Sequence, residues 1–141
     1  MDTAPVADLL RAAAEEAILP RWRRLTPDQV AEKSRPDDLV TVADTEAETI
    51  ITAGLQQIRP GTPVIGEEAV AADPSLVDGL TTLPEYWLVD PVDGTGNFVE
   101  GSPDFGVMVA LVEAGEVRAG WIWLPVHGNL AVGVRELHGK I

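Results

Sequence analysis

The sequence contains no cysteine. Disulfides, thiolate metal sites and cysteine nucleophiles are therefore excluded, and the composition is compatible with a reducing cytoplasm, the expected location. Basic residues are scarce: 10 Lys and Arg face 23 Asp and Glu, a formal net charge of −13. A chain of that sign repels nucleic-acid phosphates and anionic membrane surfaces, so neither is expected as a partner. The N-terminal MDTAPVADLLRAAAEEA carries acids early and has no long apolar run. It reads as neither a signal peptide nor a membrane span. Histidine is limited to His127 and His138, each of which reads as a surface-turn residue. The acidic excess has two readings. It gives solubility, or some carboxylates gather around cations, which would also let an acidic protein accept an anionic substrate.

What is present is enough for one domain with its own core: 141 residues, 45% of them hydrophobic. From Thr3 to about Leu25, Val6, Leu9, Leu10, Ala13, Ala17 and Ile18 recur at three- and four-residue steps and make one apolar helical face. Thr3 reads as the N-cap, and Pro20 should kink or end the helix. The RWRRL cluster after it reads as a solvated basic turn. Residues 26–40 read as a connection broken by Pro27 and Pro36. A second helix is expected from about Thr41 to Ile58, with Thr45 and Glu48 in a capping box. The period then changes. Pro63, Val64 and Ile65 form a short strand, 69–84 a polar loop with a possible helical turn, and Tyr86 to Val89 a central strand. Phe105 to Val112 and Val117 to Leu124 make a hairpin around Glu113-Ala114-Gly115-Glu116, and Asn129 to Val134 a last strand. Two N-terminal helices packed on a mostly antiparallel sheet of about five strands give an α+β layered fold.

The chemistry concentrates at 87–98, WLVDPVDGTGNF. An apolar strand runs into two carboxylates, Asp90 and Asp93, and then a glycine-rich turn. Ionised carboxylates so close repel, and burial raises the cost. A hard divalent cation removes the conflict. Magnesium takes oxygen ligands, commonly one or two carboxylates with waters and phosphate oxygens, and the Val92 carbonyl could be a further ligand. Gly94-Thr95-Gly96 offers backbone N–H groups that a phosphate can approach closely. The alternative is that Asp90 caps a turn and Asp93-Gly94 is an ordinary Asp-Gly turn. An EF-hand loop, a G-x-G-x-x-G fingerprint and a G-x-x-x-x-G-K-S/T loop all fail on the residues present. Two other acidic pieces accompany the motif: IGEE at 65–68, and DDLVTVAD at 37–44, ending on Asp44. Taken singly, Glu67-Glu68 reads as a solvated turn and Asp44 as a helix cap.

In this order, DDLVTVAD, IGEE and WLVDPVDGTGNFVEGSPDFGVMVAL (87–111) resemble the inositol monophosphatase family of magnesium-dependent, lithium-sensitive phosphatases. The resemblance implies a sugar-phosphatase-like fold and two or three Mg2+ ions per complete site. It implies Glu67, Asp90, the Val92 carbonyl and Asp93 as metal ligands, with Glu67 also orienting the attacking water. Asp90, Val92, Asp93, Gly94 and Thr95 would face the substrate, Gly94 and Thr95 through backbone N–H groups. The Thr95 hydroxyl, paired with Asp44, would activate the water. Glu68 would support these ligands, and Lys33 would stand near a third metal position. The implied reaction is hydrolysis of inositol monophosphate or a similar small phosphorylated metabolite, with a homodimer as an expected assembly.

The resemblance also departs from the family. A W-D-x-A-A-G-type block, whose aspartate would be another ligand, is missing; none of Trp22, Trp87, Trp121 and Trp123 is followed by Asp. Residues 1–141 are therefore expected to be the N-terminal domain of such a phosphatase without its C-terminal domain, with apolar surface left exposed. The competing expectations are a non-catalytic acidic domain that binds divalent metal and phosphate, and a purely structural partner domain.

Overall fold

The computed structural model describes residues 1–33 and 35–135; His138 lies outside the described residues. Helix α1 (Ala4–Ala13) continues through a π-helical stretch, Ala14–Ile18, and a 3-10 turn, Leu19–Arg21. Pro20 explains the widening. It has no N–H to donate, and its ring crowds the carbonyl one turn back. The Arg21 side chain takes up the carbonyl of Ala17 at 2.8 Å. Thr3 makes no side-chain cap; Asp2 accepts from the Ala4 N–H instead, at 3.0 Å.

Residues 26–40 are more than a connection. They contain the antiparallel pair β1 (Val30–Glu32) and β2 (Leu39–Thr41). Helix α2 (Val42–Ile58) follows directly. Its capping box is Thr41 with Asp44, one turn earlier than Thr45 with Glu48. The sheet then forms in the order β3 (Val64–Gly66), β4 (Glu85–Asp93), β5 (Gly106–Glu113), β6 (Glu116–Leu124), β7 (Asn129–Val134). Only β3 and β4 are parallel; the other neighbours are antiparallel. Between β3 and β4 the polar segment is more helical than expected, with α3 (Glu67–Ala72) and 3-10 turns at Pro74–Val77 and Leu80–Thr82. A short α4 (Thr95–Glu100) links β4 to β5. The α+β architecture is as the sequence implies.

Alternation decides which sheet face carries the helices. Trp87, Val89, Val109, Leu111, Ala119 and Trp121 share the inner face, and all are buried against Leu10, Ile18, Ile51 and Leu55. The two indoles meet at 5.9 Å, tilted by 48°. The other face is also apolar but open, with Leu88 and Ile122 each 38% exposed. A trough of about 740 Å³ runs over it past Leu88, Met108 and Ile122 and ends at Glu67 and Asp90. Among the described residues no helix is long and apolar enough to cross a membrane.

The β5–β6 hairpin turns through Ala114 (φ 51°) and Gly115 (φ 78°), the left-handed pair of a type I′ turn. Alanine is strained there, whereas asparagine tolerates that region. Ala114→Asn is expected to raise the unfolding free energy by about 0.5–1 kcal/mol. Urea unfolding at equilibrium tests this, and an unchanged or lower midpoint would refute it.

Candidate metal and phosphate site

The parallel pairing of β3 and β4 builds the site. Their last matched residues are Gly66 and Val89, so Glu67, the first residue after β3, comes beside Asp90 of β4. Two acids from distant parts of the sequence converge because β3 ends beside the point where β4 reaches Asp90.

The spacing of Asp90 and Asp93 poses a problem. In a regular strand, residues separated by three positions point to opposite faces. The register shifts between them: Asp90 pairs with Met108 and Asp93 with Gly106, so β4 carries one residue more than β5. This β-bulge brings the second carboxylate back toward the first. Pro91 suits the bulge because a bulged position need not donate to the ladder. The sequence reading ended the strand at Val89; the acids in fact stand within it.

Gly94 then turns the chain with φ 87° and ψ 41°. A Cβ there would lie 3.0 Å from the Asp104 carbonyl, so both conformation and space call for glycine. The turn starts α4, whose first backbone N–H groups have no earlier helical carbonyl to bond. The far end of α4 is clamped by the basic cluster that the sequence reading left to solvent. Trp22 Nε1 donates to the Ser102 carbonyl at 3.1 Å, and Arg23 Nε to the Gly101 carbonyl at 3.0 Å. Arg21 pairs with Glu46 at 2.7 Å. His127 lies in an exposed turn, as expected, and its Nε2 is 2.9 Å from Asp104 Oδ1.

Asp44 is fully buried. Its Oδ2 accepts from the Thr41 N–H at 2.8 Å and the Thr41 hydroxyl at 2.7 Å. Its Oδ1 lies 2.9 Å from Thr95 Oγ1, which is also 3.0 Å from the Val92 carbonyl. The Thr95 hydroxyl has one proton, so it donates to one of the two at a time. Asp44 thus caps its own helix and also joins it to the start of α4. Burial pushes its pKa up, against the hydrogen bonds from Thr41 and Thr95 and the charge of Lys33.

Lys33 Nζ lies 3.3 Å from Glu67 and 3.1 Å from Glu68. Burial works to lower the Lys33 pKa, but the hydrogen bond and charge of Glu68, followed by those of Glu67, outweigh it and raise it. Glu68 is pushed up to about 7 by burial, despite Lys33. Asp90 is pushed up to about 8, first by burial and then by the carboxylates of Glu67 and Asp93 beside it. Among the described residues, two buried side-chain polar atoms lack a hydrogen-bond partner, and one is Asp90 Oδ1.

That orphaned oxygen tests whether a cation fits. The donors are oxygens on one carboxylate flanked by two others, a hard and anionic set that suits Mg2+ or Mn2+. Among the described residues, no three carboxylate or imidazole side chains already converge as a metal cage. Magnesium commonly takes only one or two carboxylates and keeps several waters, so the set fits without such a cage.

The fold therefore brings Asp44, Glu67, Asp90, Val92, Asp93, Gly94 and Thr95 to one end of the sheet. Sequence reasoning missed Thr41 as the partner of Asp44, although the T-x-x-D pattern signals it. It placed Glu48 in a capping box with Thr45, whereas Glu48 accepts from the backbone N–H groups of Glu68 at 2.8 Å and Ala69 at 2.9 Å.

Comparison with known proteins finds relatives in sequence and in fold. The chain is 37% identical over 121 residues to the 3'(2'),5'-bisphosphate nucleotidase CysQ of Salmonella typhimurium, covering 86% of this chain and 47% of that protein. It is 43% identical over 118 residues to the inositol-1-monophosphatase of Mycobacterium bovis, covering 77% and 40% respectively. The chain thus spans under half the length of these relatives. Among solved structures, an IMPase from Thermotoga maritima superposes with a TM-score of 0.79 at 29% identity, over 95% of this chain and 48% of that one. The extragenic suppressor protein suhB of Bartonella henselae gives a TM-score of 0.71 at 30% identity, over 92% and 48%. The model of the inositol monophosphatase family matches residues 2–140, and the chain belongs to that family.

Proposed function

We propose that this chain carries the metal- and phosphate-binding part of a magnesium-dependent phosphomonoester hydrolase. The observation that supports it most is the buried Asp90 oxygen without a partner, set between two further carboxylates. Asp90, Asp93, Glu67 and the Val92 carbonyl would hold Mg2+, two or three ions in a complete site. Bound Mg2+ supplies positive charge for the phosphoryl oxygens and acidity for an attacking water. The protein's own groups do the rest. Gly94 and Thr95 offer backbone N–H groups to the phosphate at the start of α4. Thr95 Oγ1, donating to Asp44, keeps its lone pairs free to accept a hydrogen bond from the water and orient it. Glu67 supplies a second oxygen for that water.

The substrate class we propose is a small phosphorylated metabolite. The relatives' names, inositol-1-monophosphatase and bisphosphate nucleotidase, define the first panel. Residues 1–141 would act as one N-terminal domain of such an enzyme, with a homodimer as the proposed assembly. A second reading is a domain that binds metal and phosphate without turnover. It is favoured by the absence of a ready three-carboxylate cage among the described residues.

Phosphate release from inositol monophosphate and from a 3',5'-bisphosphate nucleotide, with and without Mg2+, tests both readings. Asp93→Asn is expected to lower any turnover by about 100-fold or more with little loss of fold, since Asp93 is exposed. Full activity in that variant would refute its assignment as a ligand. Mg2+ binding without turnover would select the second reading.

A further inference from the structure

Thr45 and Glu48 have capping-box spacing, yet Glu48 does not fold back on its own helix. It is 8% exposed, and it reaches across to α3. There each carboxylate oxygen takes one backbone N–H: Oε1 from Glu68 at 2.8 Å and Oε2 from Ala69 at 2.9 Å. These N–H groups belong to the first turn of α3 and have no helical partner of their own. The residue before α3 is Gly66, which offers no side chain to cap them. A carboxylate from a neighbouring helix, 20 residues earlier, performs that task. Such charge-assisted bonds are roughly twice as strong as neutral ones.

Gly66 is part of the same device. Its backbone is ordinary, with φ −96°, so its conformation does not require glycine. Space does: a Cβ at Gly66 would lie 2.3 Å from the Glu48 carboxyl carbon and 2.5 Å from Oε2. The glycine lets the carboxylate reach the helix start.

We propose that Glu48 is a positioning residue for Glu67, holding the β3–α3 junction so that the Glu67 carboxylate stays beside Asp90. Glu67 sits between two fixed points. Behind it, Gly66 is paired with Val89 in the sheet. Ahead of it, the N–H groups of Glu68 and Ala69 are held by Glu48. Helix α3 has only six residues, too few to hold itself together in water. Without the Glu48 carboxylate its first turn would open, and Glu67 and Glu68 would leave Asp90 and Lys33. The inference rests on the proposed role of Glu67 as a metal ligand.

The test uses Mn2+ as the probe, its binding followed by electron paramagnetic resonance, and amide exchange at Glu68 and Ala69 followed by NMR. Glu48→Gln keeps the shape but turns an N–H donor toward one of the two N–H groups. It is expected to weaken Mn2+ binding by about 10- to 100-fold and to abolish protection at those amides. Gly66→Ala leaves Glu48 in place but denies it room, and should reproduce both effects. The double variant should bind Mn2+ no more weakly than the worse single one, because both changes break the same contact. A merely structural cap would lower the denaturation midpoint but leave the Mn2+ affinity of the folded protein unchanged. If the folded variants bind Mn2+ within about twofold of the wild type, by the usual factor-of-two resolution of such comparisons, the inference is overturned. A wild type that binds no Mn2+ would instead remove the reading of Glu67 as a ligand, and this inference with it.

Discussion

Replacing Asp90 with asparagine is expected to make the metal-free protein more stable near pH 8 and to abolish its response to Mg2+. The first effect follows from the cost of ionising Asp90. Its pKa in the fold is about 8, against an ordinary 3.8, and that of Glu68 is about 7, against 4.5. A carboxyl whose pKa rises on folding binds its proton more tightly in the folded state. Its contribution to stability is complete below the unfolded value and is lost as pH climbs through the folded one. The metal-free wild type should therefore lose stability steadily from about pH 4 to about pH 8. Asparagine cannot ionise, so the Asp90 share of that loss disappears and only the shares of Glu68 and Asp44, whose pKa values burial also raises, remain. Asp90 is partly open to water, so screening moderates the gain; about 3–5 °C in melting temperature at pH 8 is expected. With the wild type, Mg2+ should reverse the decline, because the cation replaces the proton on the same oxygens. At a concentration 100 times its dissociation constant the ion would add about 2.7 kcal/mol. Melting curves from pH 5 to 9, with and without Mg2+, carry the test. A flat wild-type profile, or an asparagine variant that Mg2+ still stabilises, would show that Asp90 is not the strained centre of the site.

The elements that local pattern could reveal were those whose signal is repeated. The apolar steps of α1, the β5–β6 hairpin around Ala114-Gly115 and the strand at Asn129–Val134 stand where periodicity and turn chemistry put them. The β1–β2 pair was not legible. Each strand has three residues, too few to show alternation, and the prolines around them read as breakers. The capping box shows a different limit. Thr41-x-x-Asp44 and Thr45-x-x-Glu48 fit the same local rule, and only tertiary structure separates them. Glu48 is drawn away by N–H groups 20 residues further on, a contact invisible to any window of local sequence. The basic turn at Arg21–Arg24 is a turn with Arg23 and Arg24 exposed, as expected, but the contacts of Trp22 and Arg23 with the end of α4 were hidden for the same reason. Its partners, Gly101 and Ser102, lie nearly 80 positions away.

The acids of the candidate site stand out in the sequence itself. Aspartates at the end of an apolar strand call for a counter-charge whatever the surrounding topology. What the sequence could not show is how the acids meet. The β-bulge at Asp90–Asp93 had no sign beyond Pro91, and the joining of Glu67 to Asp90 depends on parallel pairing of β3 with β4.

The pairing of Asp44 with Thr95 leads to the second large effect. Asp44→Ala removes the acceptor for the Thr41 N–H, the Thr41 hydroxyl and the Thr95 hydroxyl together, at a fully buried position. Orphaning buried donors there is expected to cost about 3–5 kcal/mol, a large part of the 5–15 kcal/mol that holds a typical domain together. Asp44→Asn separates this structural role from the proposed chemical one. The amide oxygen can still accept from both Thr41 groups, so the loss of stability should be only about 1 kcal/mol. The amide nitrogen, however, must donate toward Thr95 Oγ1. The Thr95 proton then turns to the Val92 carbonyl, 3.0 Å away, and a lone pair that would have received the attacking water is occupied. Mg2+ binding should survive while turnover falls by about 100-fold. An Asp44→Asn protein that unfolds like Asp44→Ala would mean the charge itself is structural. One that turns over like the wild type would mean the direction of the Thr95 hydroxyl has no part in orienting the water.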